Sequence, residues 1–420
     1  MSDEDRRSLP CVLFLQGGPG FECARPDAAG GWLGELAKEH RVFLMDQRGT
    51  GRSSAWLVKK STVEQEVSVD VGGRTRAEKW AKLLKCFRAD SIVRDAELFR
   101  KSFLGDDVKW TLLGQSFGGF CITTYLSFAP EGVKEAMLTG GLPPLIDSEA
   151  SGYETYLKLM RRVVTQNERY FERFPGDLRR YNYVKQRINA AKNANRPIKL
   201  PSGGDLTSTL LAALGFSNLG TAQGMERLHY IFENVDPDVQ GLDEPLSHKF
   251  LMDVESSFRH FETNPLYAIL HEAIYCNGAN AYGAADEALR HPTASKLTKS
   301  VGVSENHSIL FTGEMVFSEF FDDIPSLKPY AEVLEALKLE KDWPRLYDSS
   351  ALEKNDVPVA CASYVEDMFV DFELAAETAA KIRGARVWST SEYLHSGIRE
   401  DGARIVQKLL SYVRDEDPIR

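Results

Sequence analysis

Residues 109–128 read KWTLLGQSFGGFCITTYLSF, and this stretch limits the fold of the chain more than any other. A buried-strand pattern, Lys109 to Gly114, runs into Gly114-Gln115-Ser116-Phe117-Gly118. An apolar helix pattern comes at once after it and stops before Pro130. G-x-S-x-G between a strand and a helix makes a sharp, strained turn. Its flanking glycines let neighbouring backbones come close, and the turn lifts the serine hydroxyl clear of the chain. The helix start adds free N–H groups and the positive end of a dipole beside that hydroxyl. On this reading Ser116 is a nucleophile, and the Phe117 N–H is one donor to an oxyanion.

A serine hydroxyl is a weak nucleophile without a base, and this frame orders the partners as serine, acid, histidine. Of the eight histidines only His395, in SEYLHSGIRED, comes after the last two strand patterns. His395 is therefore the expected general base. The acid is expected just after VPVACASY, where Asp367 is the first choice and Glu366 the alternative. Either carboxylate would also suit the first turn of the helix pattern FELAAETAAKI. Gly17-Gly18-Pro19-Gly20 ends the strand pattern PCVLFLQ at 10–16, so an N–H of the Gly17–Gly18 segment is the expected second oxyanion donor. Residues 46–53, DQRGTGRS, contain G-x-G but lack the lysine and spacing of a phosphate loop. They read as a structural turn in which Asp46 and Arg48 tie the oxyanion loop in place.

Further strand patterns lie at 41–46, 133–139, 308–312, 357–362 and 385–390, with helix patterns between most of them. Residues 61–107 are charged and helical in pattern, most clearly over 87–104, and ARIVQKLLSYV is a closing amphipathic helix. Such alternation predicts an α/β fold: a mostly parallel sheet with helices on both faces. From 146 to 305 the strand patterns disappear and helical periods dominate. The expected division is a core built from residues 1–145 and 306–420, with an α-helical cap of residues 146–305 inserted.

The chain's 43% hydrophobic content suffices for a core without disulfides or metals. A net charge of −10 counts against nucleic acid and anionic membrane surfaces as partners. The six cysteines form no C-x-x-C pair and no zinc spacing, so reduced, mostly buried thiols and no metal site are expected. The charged start MSDEDRRSLP is unlike a signal peptide, and no apolar run nears the roughly 18 residues of a membrane span. The cytosol is the expected location. Oligomeric state leaves no mark on the sequence.

Taken together the motifs resemble the prolyl aminopeptidase (proline iminopeptidase) family of α/β-hydrolases. The segments that carry the resemblance are QGGPGF at 16–21, MDQRGTGRSS at 45–54, FRADSIVRDAE at 87–97 and WTLLGQSFGGF at 110–120. GMERLHY at 224–230, LHEAIYCNG at 270–278, FTGEMVF at 311–317 and YLHSGIREDG at 393–402 complete the set. The resemblance implies an α/β-hydrolase fold and release of N-terminal proline from peptides with a free amino end. It implies no cofactor, and a triad at Ser116, Asp367 and His395. It also implies cap glutamates that read the substrate amine. Glu272 matches such a position best, with Glu226 and Glu314 as weaker candidates. A protonated amine entering a closed pocket does need a carboxylate partner. Two departures stand out. Gln16 replaces the histidine that many members carry before GGPG. Only about nine residues precede the first strand pattern, where the family has roughly two more strands, so the sheet is expected to lack that hairpin and to have a bare edge. An esterase or amidase with the same triad, and a non-catalytic ligand-binding protein of the same fold, are the alternatives.

Overall fold

In the computed structural model the described residues are 8–28, 30–56, 75–238, 244–290 and 311–416. Six strands form one sheet: β1 (Cys11–Leu15), β2 (Arg41–Met45), β3 (Trp110–Gln115), β4 (Val133–Thr139), β5 (Val359–Tyr364) and β6 (Ala385–Thr390). Their order is β2-β1-β3-β4-β5-β6, and every neighbouring pair is parallel. A parallel sheet is buried on both faces, which explains its runs of apolar residues. Along β1 the side chains divide by the strand's twofold alternation: Cys11, Leu13 and Leu15 join one hydrophobic cluster, Val12 and Phe14 the other.

The first cluster is covered by helices α3 (Ala89–Phe99) and α4 (Phe117–Phe128) and continues into the cap. The second is covered by α1 (Gly31–Leu36) and the closing helix α13 (Gly402–Val413), which packs Ile405, Val406 and Leu409 onto the sheet. At one edge β2 pairs with β1 alone among the described residues, and all five of its residues are only partly buried. Residues 57–74, which include the start of the expected charged helical stretch, lie outside the described residues. Helix α2 (Arg76–Leu84) begins with a full capping box from Thr75 and Glu78.

Among the described residues no strand lies between Thr139 and Val359. Helices fill that interval: α5 (Ser151–Arg173), α6 (Gly176–Asn193), α7 (Ser208–Asn218), α8 (Gly224–Phe232), α9 (His248–Ser256), α10 (Ala284–Arg290) and α11 (Ala331–Leu339), with short turns between. The strand expected at 308–312 falls mostly outside the described residues. Its last two, Phe311 and Thr312, are buried but not in a strand: their N–H groups donate to Asn167 Oδ1 and the Ala212 carbonyl. Helical structure thus extends beyond 305, to the turn Ser349–Glu353 before β5. Helix α12 (Phe372–Lys381) then links β5 to β6.

All six cysteines are unpaired, and all but Cys86 are buried. Among the described residues no helix is long and apolar enough to cross a membrane.

The strand order places the site. The chain moves from β1 outward to β2, then returns to the other side of β1 as β3. In parallel sheets, ligands bind at the carboxyl ends of strands where such a reversal opens a crevice. The Gly-rich loop leaves β1 there and the serine turn leaves β3, with Leu15 paired to Gly114.

Candidate active site

Ser116 sits between β3 and α4 with φ 55° and ψ −125°. Non-glycine residues rarely enter that region, and they stay only where the surroundings enforce it. Here close backbone packing enforces it. A Cβ on Gly114 would lie 2.5 Å from the Gly118 carbonyl, one on Gly118 1.9 Å from the Leu15 carbonyl oxygen, and one on Gly119 2.3 Å from that of Gly141. The start of α4 is therefore pressed against the end of β1, with no space for a side chain. The Ser116 N–H donates to the Thr139 carbonyl at 3.0 Å and fixes the turn to β4. Phe117 is the first residue of α4, so its N–H belongs to the helix start beside the hydroxyl.

The Gly17–Gly18 loop lies directly against the serine. A Cβ on Gly17 would stand 3.0 Å from Ser116 Cβ and 2.8 Å from Gln115 Oε1. Gln47 Nε2 donates to the Gln16 carbonyl at 2.9 Å and holds the loop from behind. Asp46 accepts from the N–H groups of Cys23 and Arg52, at 3.2 and 2.9 Å, and pairs with Arg25. Arg48 does not share this task. Its guanidinium grips Asp95 on α3 with two bonds of 2.7 and 2.5 Å and reaches the Cys86 carbonyl. The ties on the loop are thus Asp46 and Gln47, while Arg48 joins the turn to the helical layer.

His395 comes after β6 and Asp367 after β5. His395 Nδ1 and Asp367 Oδ2 are 2.7 Å apart, and both side chains are buried. The other Asp367 oxygen accepts from the N–H groups of Phe369 and Val370, at 2.7 and 3.1 Å. Four acceptor directions and three donors leave this carboxylate well satisfied without a cation. Glu366 points outward and bonds Arg169 at 3.1 Å. Burial by itself lowers the His395 pKa, but the charge and hydrogen bond of Asp367 outweigh it, Glu314 adds to them, and the net shift is upward. With Nδ1 on Asp367, Nε2 is the nitrogen free to exchange a proton.

Ser116 and His395 line one cavity of about 1090 Å³ beneath the cap. Of the three glutamates expected to read an amine, Glu314 lines it. Burial pushes the Glu314 carboxyl up to about 7, and the Tyr267 hydroxyl donates to it. His271 Nε2 lies 3.2 Å from the Glu314 carbonyl and holds its backbone; burial keeps that ring neutral by pulling its pKa down to about 4. Glu272 is turned away. Its carboxylate accepts from the N–H groups of Gly283 and Ala285, at 2.6 and 2.8 Å, and anchors the start of α10. Glu226 is partly exposed and pairs with Arg173 at the surface. The reason is topological: Glu272 and Glu226 sit on cap segments whose polar faces meet a helix start and the solvent.

Three further groups at this cavity were not singled out from the sequence. Tyr267 holds Glu314. Phe369 stacks its ring on His395, with centroids 4.8 Å apart and planes at 19°. Arg399, four residues past His395, also lines the cavity. Only Arg399 falls within one of the motifs, YLHSGIREDG. The other two owe their places to tertiary packing.

A buried Asp–His pair, a strained serine, glycine N–H groups beside it and a nearby carboxylate together suit acyl transfer to serine on an amine-bearing substrate. The comparisons with known proteins agree. Residues 10–182 match a family model described as alpha/beta hydrolase fold. The chain is 40% identical over 407 residues to a proline iminopeptidase of Aeromonas sobria, covering 97% of this chain and 88% of that one. It is 32% identical over 416 residues to a proline iminopeptidase of Aspergillus aculeatus, covering 98% and 86%.

Proposed function

Because the chain belongs to the proline iminopeptidase family of α/β-hydrolases, we propose that it is a serine exopeptidase releasing N-terminal proline from peptides. The observation that carries the reading is the joint placement of Ser116, His395 and the Glu314 carboxylate on one cavity.

In the proposed reaction His395 Nε2 takes the proton of the Ser116 hydroxyl as Oγ attacks the prolyl carbonyl. Asp367 holds the ring in the required tautomer and stabilises the imidazolium that forms. The oxyanion is met by the Phe117 N–H and an N–H of Gly17–Gly18. His395 then gives its proton to the departing amine, which breaks the peptide bond and leaves a prolyl ester on Ser116. Water, deprotonated by His395, hydrolyses the ester. Glu314, when ionised, pairs with the secondary ammonium of the proline. A residue before the proline would turn that ammonium into an uncharged amide with no charge for Glu314 to pair with, hence removal of one residue at a time.

The test is hydrolysis of prolyl-, alanyl- and N-acetyl-prolyl-naphthylamide, with Ser116→Ala as control. Cleavage of the free prolyl substrate, lost in Ser116→Ala, is the expected result. Equal cleavage of the acetylated substrate would instead favour a general amidase. Absence of turnover in folded protein would favour a non-catalytic binding role.

A further inference from the structure

Arg399 stands in the short helical turn Gly397–Glu400 just after the catalytic histidine. It is an exposed residue, and it lines the cavity that holds Ser116 and His395. Among the described residues no carboxylate lies within ion-pair distance of it. Its one hydrogen bond among the described residues is a long one, 3.4 Å, from a guanidinium N–H to the side-chain oxygen of Gln115. Gln115 is the residue next to Ser116, so the guanidinium lies one side chain away from the nucleophile. Burial among protein atoms pulls the Arg399 pKa below the ordinary arginine value, and only Tyr267 acts against this. The cation is thus reachable from the cavity and, among the described residues, has no carboxylate partner. Such a group gains strongly from an anion that arrives with bidentate geometry.

The cavity offers Glu314 as well, and both groups act on His395 with opposite sign: Glu314 raises its pKa, Arg399 lowers it. A carboxylate and a guanidinium therefore share one cavity with His395. A proline-initiated dipeptide carries the complementary pair of charges. Its ammonium precedes the scissile bond, and its carboxylate comes one residue after. In a longer peptide or an amide, that second charge is displaced or absent.

We propose that Arg399 forms a carboxylate subsite on the leaving-group side of the cavity, which makes free prolyl dipeptides favoured substrates. The proposal rests on the aminopeptidase reading, and the experiment separates the two. Steady-state kinetics are measured with Pro-Ala, Pro-Ala-amide and prolyl-naphthylamide on the full chain, as wild type, Arg399→Lys and Arg399→Met. A charge-assisted pair at a partly hydrated site predicts a wild-type kcat/KM about tenfold higher for Pro-Ala than for its amide. That ratio should fall to about one in Arg399→Met and to an intermediate value in Arg399→Lys, which keeps the charge but not the fork. A wild-type ratio near one, with prolyl-naphthylamide cleaved, overturns the subsite and leaves the aminopeptidase standing; this arm needs no variant to fold. A tenfold ratio that persists in Arg399→Met also overturns the subsite. Failure of wild-type protein to cleave prolyl-naphthylamide overturns the aminopeptidase reading and the subsite with it.

Discussion

Gly118 in the core and Gly220 in the cap both leave no space for a side chain, but their neighbours differ. A Cβ on Gly118 would meet the backbone of Leu15 at 1.9 Å, while one on Gly220 would meet the Phe369 ring at 1.6 Å. The first contact is between two main chains locked in a sheet and its elbow. The second is between a cap loop and a side chain that itself stacks on His395. The core therefore fixes its chemistry through backbone geometry close in sequence to each motif. The cap acts through side chains gathered from distant segments, with Phe216, Tyr267 and Glu314 facing the same cavity. On the proposed reading labour is divided accordingly: acyl transfer falls to the core and the choice of substrate to the cap.

Changes on the core side should give the largest losses. Asp367→Asn keeps the shape but presents the wrong group to His395 Nδ1, and should lower kcat for prolyl-naphthylamide by about 10⁴-fold with KM little changed. A loss under about tenfold would remove Asp367 from the machinery. Gly220→Ala should act at a distance. The added methyl must displace the Phe369 ring, which loosens the plane against which His395 rests, and kcat should fall by roughly tenfold. An unaltered kcat would show that the cap does not bear on the base. The smallest kinetic effect is expected of Glu272→Gln. Its carboxylate anchors α10, so one of two N–H bonds is lost at a cost of about 1–3 kcal/mol in stability. Thermal melting should report that loss, while the preference for prolyl over alanyl substrate persists. Collapse of that preference would place Glu272, not only Glu314, at the amine.

The same contrast explains what the sequence revealed. Strands β4 and β6 lie at the bounds their patterns indicate, and the Ser116 elbow and the Gly17–Gly18 loop take the predicted places at strand ends. Each depends on neighbours within a few residues, so periodicity and glycine spacing suffice. His395 and Asp367 could be proposed because the fold orders such partners after known strands, and the two side chains do meet, 2.7 Å apart, after β6 and β5. The cap was not legible in this way. Glu272, in the segment HEAIYC, matched the family pattern better than Glu314, yet of the two it is Glu314 that lines the cavity. Which face of a helical segment meets the cavity is decided by packing with partners far away in the chain, and no local pattern records it. Arg48 likewise read as a tie for the oxyanion loop and instead holds Asp95.

The central claim is that the cap admits the substrate through Glu314 while the core reacts. Its most direct test is the ratio of kcat/KM for prolyl-naphthylamide to that for p-nitrophenyl acetate, which carries no amine, in wild type and Glu314→Gln across about pH 5.5 to 9. As pH falls through about 7 the Glu314 carboxyl takes up a proton and no longer holds an ammonium. His395, whose pKa is shifted upward by Asp367, is also lost as a base once it is protonated. Both losses run in the same direction. The wild-type acid limb for the prolyl substrate should therefore steepen toward a slope of about two, while the acetate limb stays near one. In Glu314→Gln the prolyl limb should relax to about one, and the ratio at neutral pH should fall by roughly 30- to 100-fold. A ratio and slope unchanged by Glu314→Gln would contradict the account, because the amine would then be read elsewhere.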